Sequence, residues 1–379
     1  MDFQPTEEQV AIRDMARQFA AGKLAPDAAR WDEDKVFPVE ALREAAALGL
    51  AGIYVREESG GAGLGRVEAA LIFEELAAGC TSTAAYISIH NMVAWMVDAF
   101  GDDAQRKRFL PKLLGMELFA SYCLTEPGSG SDAASLRTRA ERRGDSYVLN
   151  GTKAFISGGG VSDVYLVMAR TGGEGPRGIS AFLIEKGAKG LSFGKQERKL
   201  GWNSQPTAMV ILEDCEVPAG NRLGGEGEGF RFAMKGLDGG RVNIGACSIG
   251  AGRASFEAAL AHVKSRRQFG KPLADFQALQ FRLADMATEL EAARLMILRA
   301  AAALDAGEPD ARERCAMAKR FATDAGFRVC DEALQLFGGY GYLKDYPVER
   351  FLRDARVHRI LEGTNEIMRV IVSRSLIGE

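Results

Sequence analysis

The sequence predicts an α+β protein made of three consecutive regions, helical at both ends and rich in strands in the middle. In the first region, alanine-rich segments place apolar residues three and four positions apart, which is the spacing of one helix face. In the middle, short runs of β-branched and aromatic residues alternate with glycine and polar residues, as strands and turns do. Helical spacing returns after Gly229. We therefore expect an N-terminal helical domain at 1–118, a β domain at 119–226 and a C-terminal helical bundle at 227–379.

Individual segments support each region. The N-terminal helices are predicted from FPVEALREAAALGL and GRVEAALIFEELAAG, and the strands from SYVLNGTKAFIS, DVYLVMART, GISAFLIEK and TAMVILEDCEV. In the last region, DAGEPDAR and GGYGYLKDYPVE interrupt the pattern, so we expect at least three long helices there. The clearest of them has an apolar stripe that steps by three and four residues, formed by Phe276, Leu279, Leu283, Met286, Leu290, Ala293 and Ile297.

This order of elements disfavours a nicotinamide-binding domain. Strands confined to the middle of a chain cannot alternate with helices to build a doubly wound parallel sheet. Gly128, Gly130 and Ala133 match the dinucleotide fingerprint G-x-G-x-x-A, but the polar segment SLRTRAERRGD follows where a phosphate-binding helix is needed. The chain also lacks the GxxxxGK[ST] and HExxH motifs, which leaves common phosphotransferases and zinc hydrolases without support.

The amino-acid composition limits which partners and which cellular compartment are expected. The 379 residues are 47% hydrophobic and carry a net charge of -3 with both signs interspersed, so we expect neither nucleic acid nor a membrane as partner. The start of the chain has no leader pattern, and no apolar run reaches the length that spans a bilayer. Six cysteines form no CxxC pair, which favours a reducing compartment, and we expect the cytoplasm. These cysteines are Cys80, Cys123, Cys215, Cys247, Cys315 and Cys330.

Three segments outside the last helix carry groups suited to a polar ligand. YCLTEPGSGSD at 122–132 offers backbone N–H groups and hydroxyls, although a plain surface turn explains the same composition. In AFISGGG, Phe155 and Ser157 fall on one side of an extended chain, which is also compatible with an ordinary strand end. RRQFGKPLADFQ at 266–277 joins basic and aromatic side chains, suited to phosphate and adenine, or to a solvated helix start.

The segment 358–374, HRILEGTNEIMRVIVSR, is the most informative. Thr364 is predicted to be the N-cap of the last helix, which leaves Glu362 in the turn before it. Burial in an apolar cleft would raise the pKa of this carboxyl group, whereas the helix dipole would lower it, and the sequence leaves the balance open. His358 and Glu362 alone make half a metal site at most, so no metal is predicted.

Together these segments, with GCTSTAAYISIHNM, GWNSQP and GGYGYLKDYPVERF, resemble the acyl-CoA dehydrogenase family across nearly the whole chain. The resemblance implies that family's fold, an FAD cofactor, an acyl-CoA substrate, electron-transfer flavoprotein as partner, and a homotetramer arranged as a dimer of dimers. It further implies Glu362 as the catalytic base, because other branches place a glutamate directly before the residue equivalent to Arg241, where this chain has Gly240.

The resemblance also assigns binding residues by position. The flavin is expected to contact Tyr122, Cys123, Leu124, Thr125, Glu126, Pro127, Gly128, Ser129, Gly130, Ser131, Phe155, Ile156 and Ser157. FAD of a neighbouring subunit is expected to contact Arg266, Gln268, Phe269, Phe276, Gln277, Gln335, Leu336, Phe337, Gly338 and Gly339, and the adenosine part Thr364, Asn365 and Glu366. The substrate is expected to contact Ser131, Asp238, Gly239, Gly240, Arg241 and Arg374.

The implied reaction is α,β-dehydrogenation of a short branched acyl-CoA, with isobutyryl-CoA from valine breakdown as the expected substrate. Glu362 would remove the α-proton and flavin N5 would take the β-hydride. Three alternatives stay open: 2-methylbutyryl-CoA or butyryl-CoA as substrate, an oxidase that passes electrons to oxygen, and an inactive CoA-ester binding protein of the same fold. One methyl group changes selectivity by only about 1–3 kcal/mol, so the sequence does not separate the substrates.

Overall fold

Helices form both ends of the chain and strands form its middle in the computed structural model, which describes residues 4–378. The N-terminal helices are α1 (Glu7–Phe19), α2 (Ala28–Asp34), α3 (Val39–Ala47), α4 (Arg66–Phe100) and α5 (Asp103–Leu114). The C-terminal helices are α6 (Gly229–Ser265), α7 (Gln277–Asp305), α8 (Ala311–Phe337), α9 (Val348–Arg356) and α10 (Asn365–Ile377). The predicted α+β class and its α, β, α order are confirmed.

Side chains close the starts of several helices. Thr6 and Gln9 form a reciprocal capping box at α1, and Asp102 and Gln105 form another at α5. α4 is irregular at Cys80, where φ is -150°, and it is buried over most of its length. An all-round apolar helix of this kind must sit inside the protein, and α4 accordingly lies in the core.

The strands of the middle region form one mixed sheet. They are β1 (Ala120–Cys123), β2 (Arg139–Arg143), β3 (Ser146–Ser157), β4 (Val164–Arg170), β5 (Ile179–Glu185), β6 (Leu191–Phe193), β7 (Thr207–Pro218) and β8 (Arg222–Leu223). The order across the sheet is β6, β7, β3, β2, β4, β5 and β8, and β1 pairs in parallel with β4. Most other pairs are antiparallel, which is the opposite of a doubly wound nucleotide-binding sheet.

The C-terminal bundle packs closely on α4. α6 contacts both α4 and α8, and glycines mark the closest approaches. A Cβ atom on Gly250 would lie 3.0 Å from the carbonyl carbon of Glu74 on α4, and one on Gly326 would lie 2.8 Å from that of Ser248 on α6. A short hairpin of β9 (Arg267–Gln268) and β10 (Lys271–Pro272) separates α6 from α7.

The expected domain limits fall in connections between elements. Residue 118 lies between α5 and β1, and residue 226 lies between β8 and α6. These limits stay predictions. Among residues 4–378 we find no helix with the length and apolar character needed to cross a bilayer.

Candidate active site

A cavity of about 640 Å³ lies where the sheet meets the C-terminal bundle. Its walls come from α4, the loop after β1, the end of β3, the loop between β6 and β7, α6, α8 and α10, together with the turn before α10. Eight of the expected flavin contacts line it: Tyr122, Leu124, Thr125, Gly130, Ser131, Phe155, Ile156 and Ser157. Arg241, Arg374 and Glu362 line it as well. Segments far apart in sequence thus meet around one space.

Glu362 occupies a strained turn at this cavity. Its φ is 54° and that of Gly363 is 91°, so two successive residues are left-handed, a conformation that costs energy for glutamate. The predicted N-cap is confirmed, since the Thr364 hydroxyl accepts a hydrogen bond from Ile367 N at 3.3 Å. The turn aims the carboxyl group inward, and its Oε2 atom is buried without a hydrogen-bond partner.

Gly240 makes room for that carboxyl group. A Cβ atom built on Gly240 would lie 2.6 Å from Cδ of Glu362 and 2.8 Å from Oε1, and closer still to Oε2. Atoms cannot approach this closely, so a side chain at position 240 would overlap the carboxyl group of Glu362. The position of that carboxyl group therefore requires glycine at residue 240 of α6.

Burial decides the electrostatics of Glu362. Desolvation raises the pKa of the carboxyl group to about 7, against the opposing attraction of Arg241 and Lys319. Burial therefore has a larger effect on the pKa of Glu362 than the helix dipole, which would lower it. A carboxyl group with a pKa near neutrality is suited to take and release a proton.

Arg241 is a buried cation beside this base. Its Nη1 donates to Asp238 Oδ1 at 2.5 Å, and its Nε donates to the carbonyl oxygen of Glu362 at 3.3 Å. Asp238 therefore acts on the site through Arg241 and does not itself line the cavity, and Gly239 lies against the Arg66 guanidinium. Of the four expected substrate contacts on α6, only Arg241 reaches the cavity wall.

The loop after β1 divides into residues that face the cavity and residues that support the loop. Lys153, fully buried, donates from Nζ to Glu126 at 2.8 Å, and the same carboxylate accepts from the N–H groups of Arg137 and Thr138. An acidic side chain that accepts from three donors is fixed within the loop. The expected contacts whose side chains do not line the cavity are Cys123, Glu126, Pro127, Gly128 and Ser129.

Phe155 and Ser157 both line the cavity, but the backbone between them is not the regular extended strand that was predicted. Phe155 has a φ of 58°, and the pairing of β3 with β7 shifts between Lys153 and Ile156, so the strand is not regularly extended. The irregularity leaves the Phe155 ring 70% exposed at the cavity. Ser157 Oγ accepts a hydrogen bond from Gln205 Nε2 at 2.6 Å, so its own proton is free to point elsewhere.

Sequence reasoning assigned no role to three residues that shape the site. Gln205 orients Ser157, and Trp202 lines the cavity with its indole N–H unpartnered. The backbone N–H of Trp202 donates to Asp354 Oδ1 at 2.6 Å. Lys319 bonds the turn that carries Glu362. The segment GWNSQP, which contains Trp202 and Gln205, belongs to the family resemblance, whereas Lys319 lies in a helical stretch without a motif.

The residues expected near the adenosine part have structural roles at the start of α10. Asn365 is buried, and its side chain bonds Lys319, Thr323 and Asp324 on α8. Thr364 caps the helix and Glu366 is exposed. None of these three side chains lines the cavity.

A second depression collects the residues expected to act on a neighbouring subunit. Its walls include Arg266, Gln268, Gln335, Leu336, Phe337, Gly338 and Gly339. The Phe269 ring stands 92% exposed beside it, in edge contact with Phe276 at 6.1 Å, and exposed Gln277 follows. No residue of this depression lines the Glu362 cavity. The expected contacts that line a depression therefore form two separate groups on one chain.

His358 serves the packing of the site. Its Nδ1 atom lies 2.6 Å from the Ser248 hydroxyl, and burial lowers its pKa to about 3, which keeps the ring neutral. Within residues 4–378, no three His, Cys, Asp or Glu side chains come together as ligands for a metal ion.

The cavity suits a flavin. It offers an aromatic plate in Phe155, hydroxyl groups in Thr125 and Ser157, and buried polar atoms without partners in Tyr122 and Trp202. An unpaired polar atom inside a protein is costly unless a ligand satisfies it. The residues present thus fit a large, flat and partly polar ligand.

Comparison with known proteins agrees with this geometry. Family models for the N-terminal, middle and C-terminal domains of acyl-CoA dehydrogenase match residues 6–117, 121–215 and 227–377. The chain is 60% identical over 374 residues to the Bos taurus protein "Isobutyryl-CoA dehydrogenase, mitochondrial", covering 99% of this chain and 90% of that one.

Solved structures share the whole fold. The structure titled "Electron transferring flavoprotein of Acidaminococcus fermentans: Towards a mechanism of flavin-based electron bifurcation" matches with a TM-score of 0.97 and 42% identity, covering 100% of both chains. "PigA with FAD and proline" matches with a TM-score of 0.96 and 32% identity over 99% of each chain. The predictions of family, enzyme class and FAD are confirmed. This chain belongs to the acyl-CoA dehydrogenase family and is an FAD-dependent oxidoreductase.

Proposed function

We propose that this enzyme oxidises isobutyryl-CoA to its 2-enoyl-CoA, as a step of valine breakdown, with Glu362 as the base that removes the α-proton. One observation carries the assignment of the base. Glu362 lies at the wall of the cavity, and its carboxyl oxygen Oε2 is buried without a hydrogen-bond partner, in the space left by Gly240. The substrate is proposed because the 60% identical relative bears the name of an isobutyryl-CoA dehydrogenase.

The chain's own residues supply acid–base chemistry and exclusion of water. The carboxylate of Glu362 accepts the α-proton, and the nearby cations Arg241 and Lys319 keep an ionised form accessible despite burial. The backbone N–H of Glu362 is proposed to donate to the thioester carbonyl as negative charge develops there. When bound, FAD supplies the acceptor for the β-hydrogen, which leaves as a hydride.

Apolar side chains provide the space for a short acyl group. Ile89 and Met92 on α4 and Leu237 and Ile244 on α6 line the same cavity as Glu362. Such walls hold a branched hydrocarbon by contact area and exclude water from the reacting carbons. Because a single methyl group is worth only about 1–3 kcal/mol, we expect 2-methylbutyryl-CoA and butyryl-CoA to react more slowly and not to be excluded.

Anaerobic bleaching of the bound flavin tests base and substrate together. We expect isobutyryl-CoA to bleach the parent enzyme fastest among isobutyryl-CoA, 2-methylbutyryl-CoA and butyryl-CoA. Glu362→Gln should retain FAD and lose about a thousandfold in rate, as expected for loss of a positioned base. Bleaching of Glu362→Gln at near the parental rate would place the base elsewhere, and equal rates for the three esters would remove the substrate assignment.

We also propose electron-transfer flavoprotein as the electron acceptor. The support is that a solved structure matching this whole chain carries the name of that protein in its title. An oxidase is the alternative. Oxygen consumption and reduction of electron-transfer flavoprotein, measured with the same substrate, separate the two. Rapid stoichiometric oxygen uptake in the presence of the flavoprotein would overturn the proposal.

A homotetramer, a dimer of dimers, is proposed as the working form. The support is the second depression, whose expected cofactor contacts lie apart from the Glu362 cavity and end in the 92% exposed ring of Phe269. Exposed apolar side chains also line the depression, at Tyr340 and Leu343, and grouped exposed apolar residues are typical of a contact surface. Sedimentation combined with FAD absorbance tests this, since a monomer with full FAD content would contradict it.

The compartment is proposed to be reducing. All six cysteines are free and buried, as expected where disulfides do not form. The cytoplasm is our proposal, whereas the bovine relative is named as mitochondrial. Fractionation of the source cells tests it.

A further inference from the structure

The turn that carries Glu362 is held from two sides by buried cations. Both Glu362 and Gly363 have left-handed backbones, with φ of 54° and 91°. The carbonyl oxygen of Glu362 accepts from Arg241 Nε at 3.3 Å, and the next carbonyl oxygen, that of Gly363, accepts from Lys319 Nζ at 2.9 Å. Two consecutive peptide groups are thus fixed by side chains from two different helices, α6 and α8.

Lys319 is built into this position. Its side chain is fully buried on α8, and its ammonium group also donates to Asn365 Oδ1 at 3.0 Å. Asn365 is the first residue of α10, so one ammonium group bonds both the turn and the helix that follows it. A buried lysine is costly to desolvate, and a core position on an alanine-rich helix does not require one.

We propose that Lys319 is a positioning residue for the reaction: its ammonium group holds the turn so that the Glu362 carboxyl group points into the cavity, and its charge favours the ionised base. This rests on the proposed function, in which Glu362 is the base. The strained backbone supplies the reason for a clamp, because a left-handed glutamate persists only when its surroundings fix it.

The charge of Lys319 acts on Glu362 through low-dielectric surroundings. Burial lowers the pKa of Lys319 to about 7, and the Glu362 carboxylate opposes that shift, so the two groups influence each other's proton. Removing the ammonium charge therefore makes the carboxyl group harder to ionise. The pH at which the base becomes active should rise in consequence.

Other charged groups surround the pair. Asp238 and Arg241 face it from α6, Arg312 and Asp324 from α8, and Glu366 from the start of α10. These charges remain in a variant of Lys319.

Neutral titratable groups also face the pair. They are Tyr54, Tyr122 and Cys247, whose pKa values burial raises, and His358, whose pKa burial lowers to about 3. Because these four stay neutral near pH 7, a shift of the activity profile in that range reports on Glu362 and Lys319.

Two substitutions separate the clamp from the charge. Lys319→Met keeps the length and the apolar stem but removes both donor and charge, and Lys319→Gln keeps an N–H donor without the charge. Lys107→Met, at an exposed position of α5, is the matched control. Glu362→Gln is measured in parallel on the assembled, FAD-loaded enzyme.

In Lys319→Met we expect kcat to fall at least tenfold with a smaller change in KM, and the acidic limb of the pH profile to move upward by about one pH unit. Lys319→Gln should recover part of kcat and keep the displaced limb. FAD content should stay at the parental level in both variants. Lys107→Met should behave as the parent does.

Thermal unfolding gives a readout that does not depend on turnover. Ionisation of Glu362 destabilises the folded chain as pH rises. The melting temperature of Glu362→Gln minus that of the enzyme with Glu362 should therefore increase with pH. This gain should be larger in the Lys319→Met background, where no ammonium group offsets the buried charge.

Several outcomes would overturn the proposal. An unmoved pH limb in both variants, an unchanged kcat in Lys319→Met, or loss of folding in both variants would leave Lys319 with a packing role alone. If Glu362→Gln keeps its turnover, the proposed base fails first and independently. If Glu362→Gln is inactive and the Lys319 variants match the parent, only the role of Lys319 is lost.

Discussion

The contact between Gly240 and Glu362 allows a test that adds only one methyl group. In Gly240→Ala, the new Cβ atom would lie 2.6 Å from Cδ of Glu362 and 2.8 Å from Oε1. Ordinary contacts between such atoms begin at about 3.4 Å, so the carboxyl group must move by roughly 1 Å or more. α6 itself has little room to retreat, since at Gly250 it lies against the backbone of Glu74 on α4.

Displacement of the base should lower kcat and leave FAD binding nearly unchanged. Misplacement of a reacting group by about 1 Å costs on the order of a hundredfold in rate. We therefore expect kcat of Gly240→Ala to fall roughly a hundredfold, while alanine stays compatible with the helix and FAD content stays close to the parental level. The loss should be smaller than in Glu362→Gln, where the base is absent.

Dye reduction with isobutyryl-CoA measures kcat, and flavin absorbance measures FAD content. Gly22→Ala is the control, because a Cβ atom there meets nothing within 4 Å. It should match the parent in both measurements. A Gly240→Ala enzyme that keeps more than about half of the parental kcat would refute the argument, since the carboxyl group would then work from another position.

Four further predictions concern the pKa of Glu362, the ion pair of Lys153 with Glu126 and the cap of α10. Because the pKa of Glu362 is about 7 and the base must be ionised, kcat/KM should fall about tenfold per pH unit below that value; a profile flat from pH 5 to 8 would contradict this. The folded state holds that proton more tightly than the unfolded chain, whose carboxyl pKa is near 4.5, so Glu362 should lower the free energy of unfolding between about pH 4.5 and 7, by at most about 3 kcal/mol, and Glu362→Gln should remove this part of the pH dependence in urea titrations. Lys153→Met leaves the buried Glu126 carboxylate unpaired and should cost about 3–5 kcal/mol in the same assay, and adding Glu126→Gln should recover part of it, which a merely additive loss would disprove. Thr364→Ala removes the cap of α10 and should cost about 1 kcal/mol, whereas Thr364→Ser should cost less; equal losses would mean that the hydroxyl group does not act as a cap.

Local patterns in the sequence were enough to predict the order of elements and the start of the last helix. Apolar spacing is a property of neighbouring residues, and Thr364 caps a helix that begins one residue later. The position of Glu362 just before that helix followed from the same reasoning. Its left-handed φ did not, because the turn is held by partners on other helices.

Tertiary contacts account for what the sequence could not predict. Gln205 acts on Ser157 across the fold, and Lys319 reaches Gly363 from α8. A run such as TEPGSGSD does not reveal which of its side chains turn inward. Glu126 is expected at the flavin, and that contact stays a prediction; the sequence did not reveal that its side chain pairs with Lys153 and accepts from the backbone of its own loop.

The chemistry proposed here places opposing demands on one carboxyl group. Burial makes it a stronger base, yet burial alone would keep it protonated at neutral pH and therefore idle. Arg241 and Lys319 offset part of that cost, and both reach the turn through backbone carbonyl oxygens rather than through the carboxylate itself. A direct salt bridge would have occupied the oxygen that must accept the proton. The cations thus tune and hold the base from behind, and Oε2 of Glu362 keeps no hydrogen-bond partner among residues 4–378.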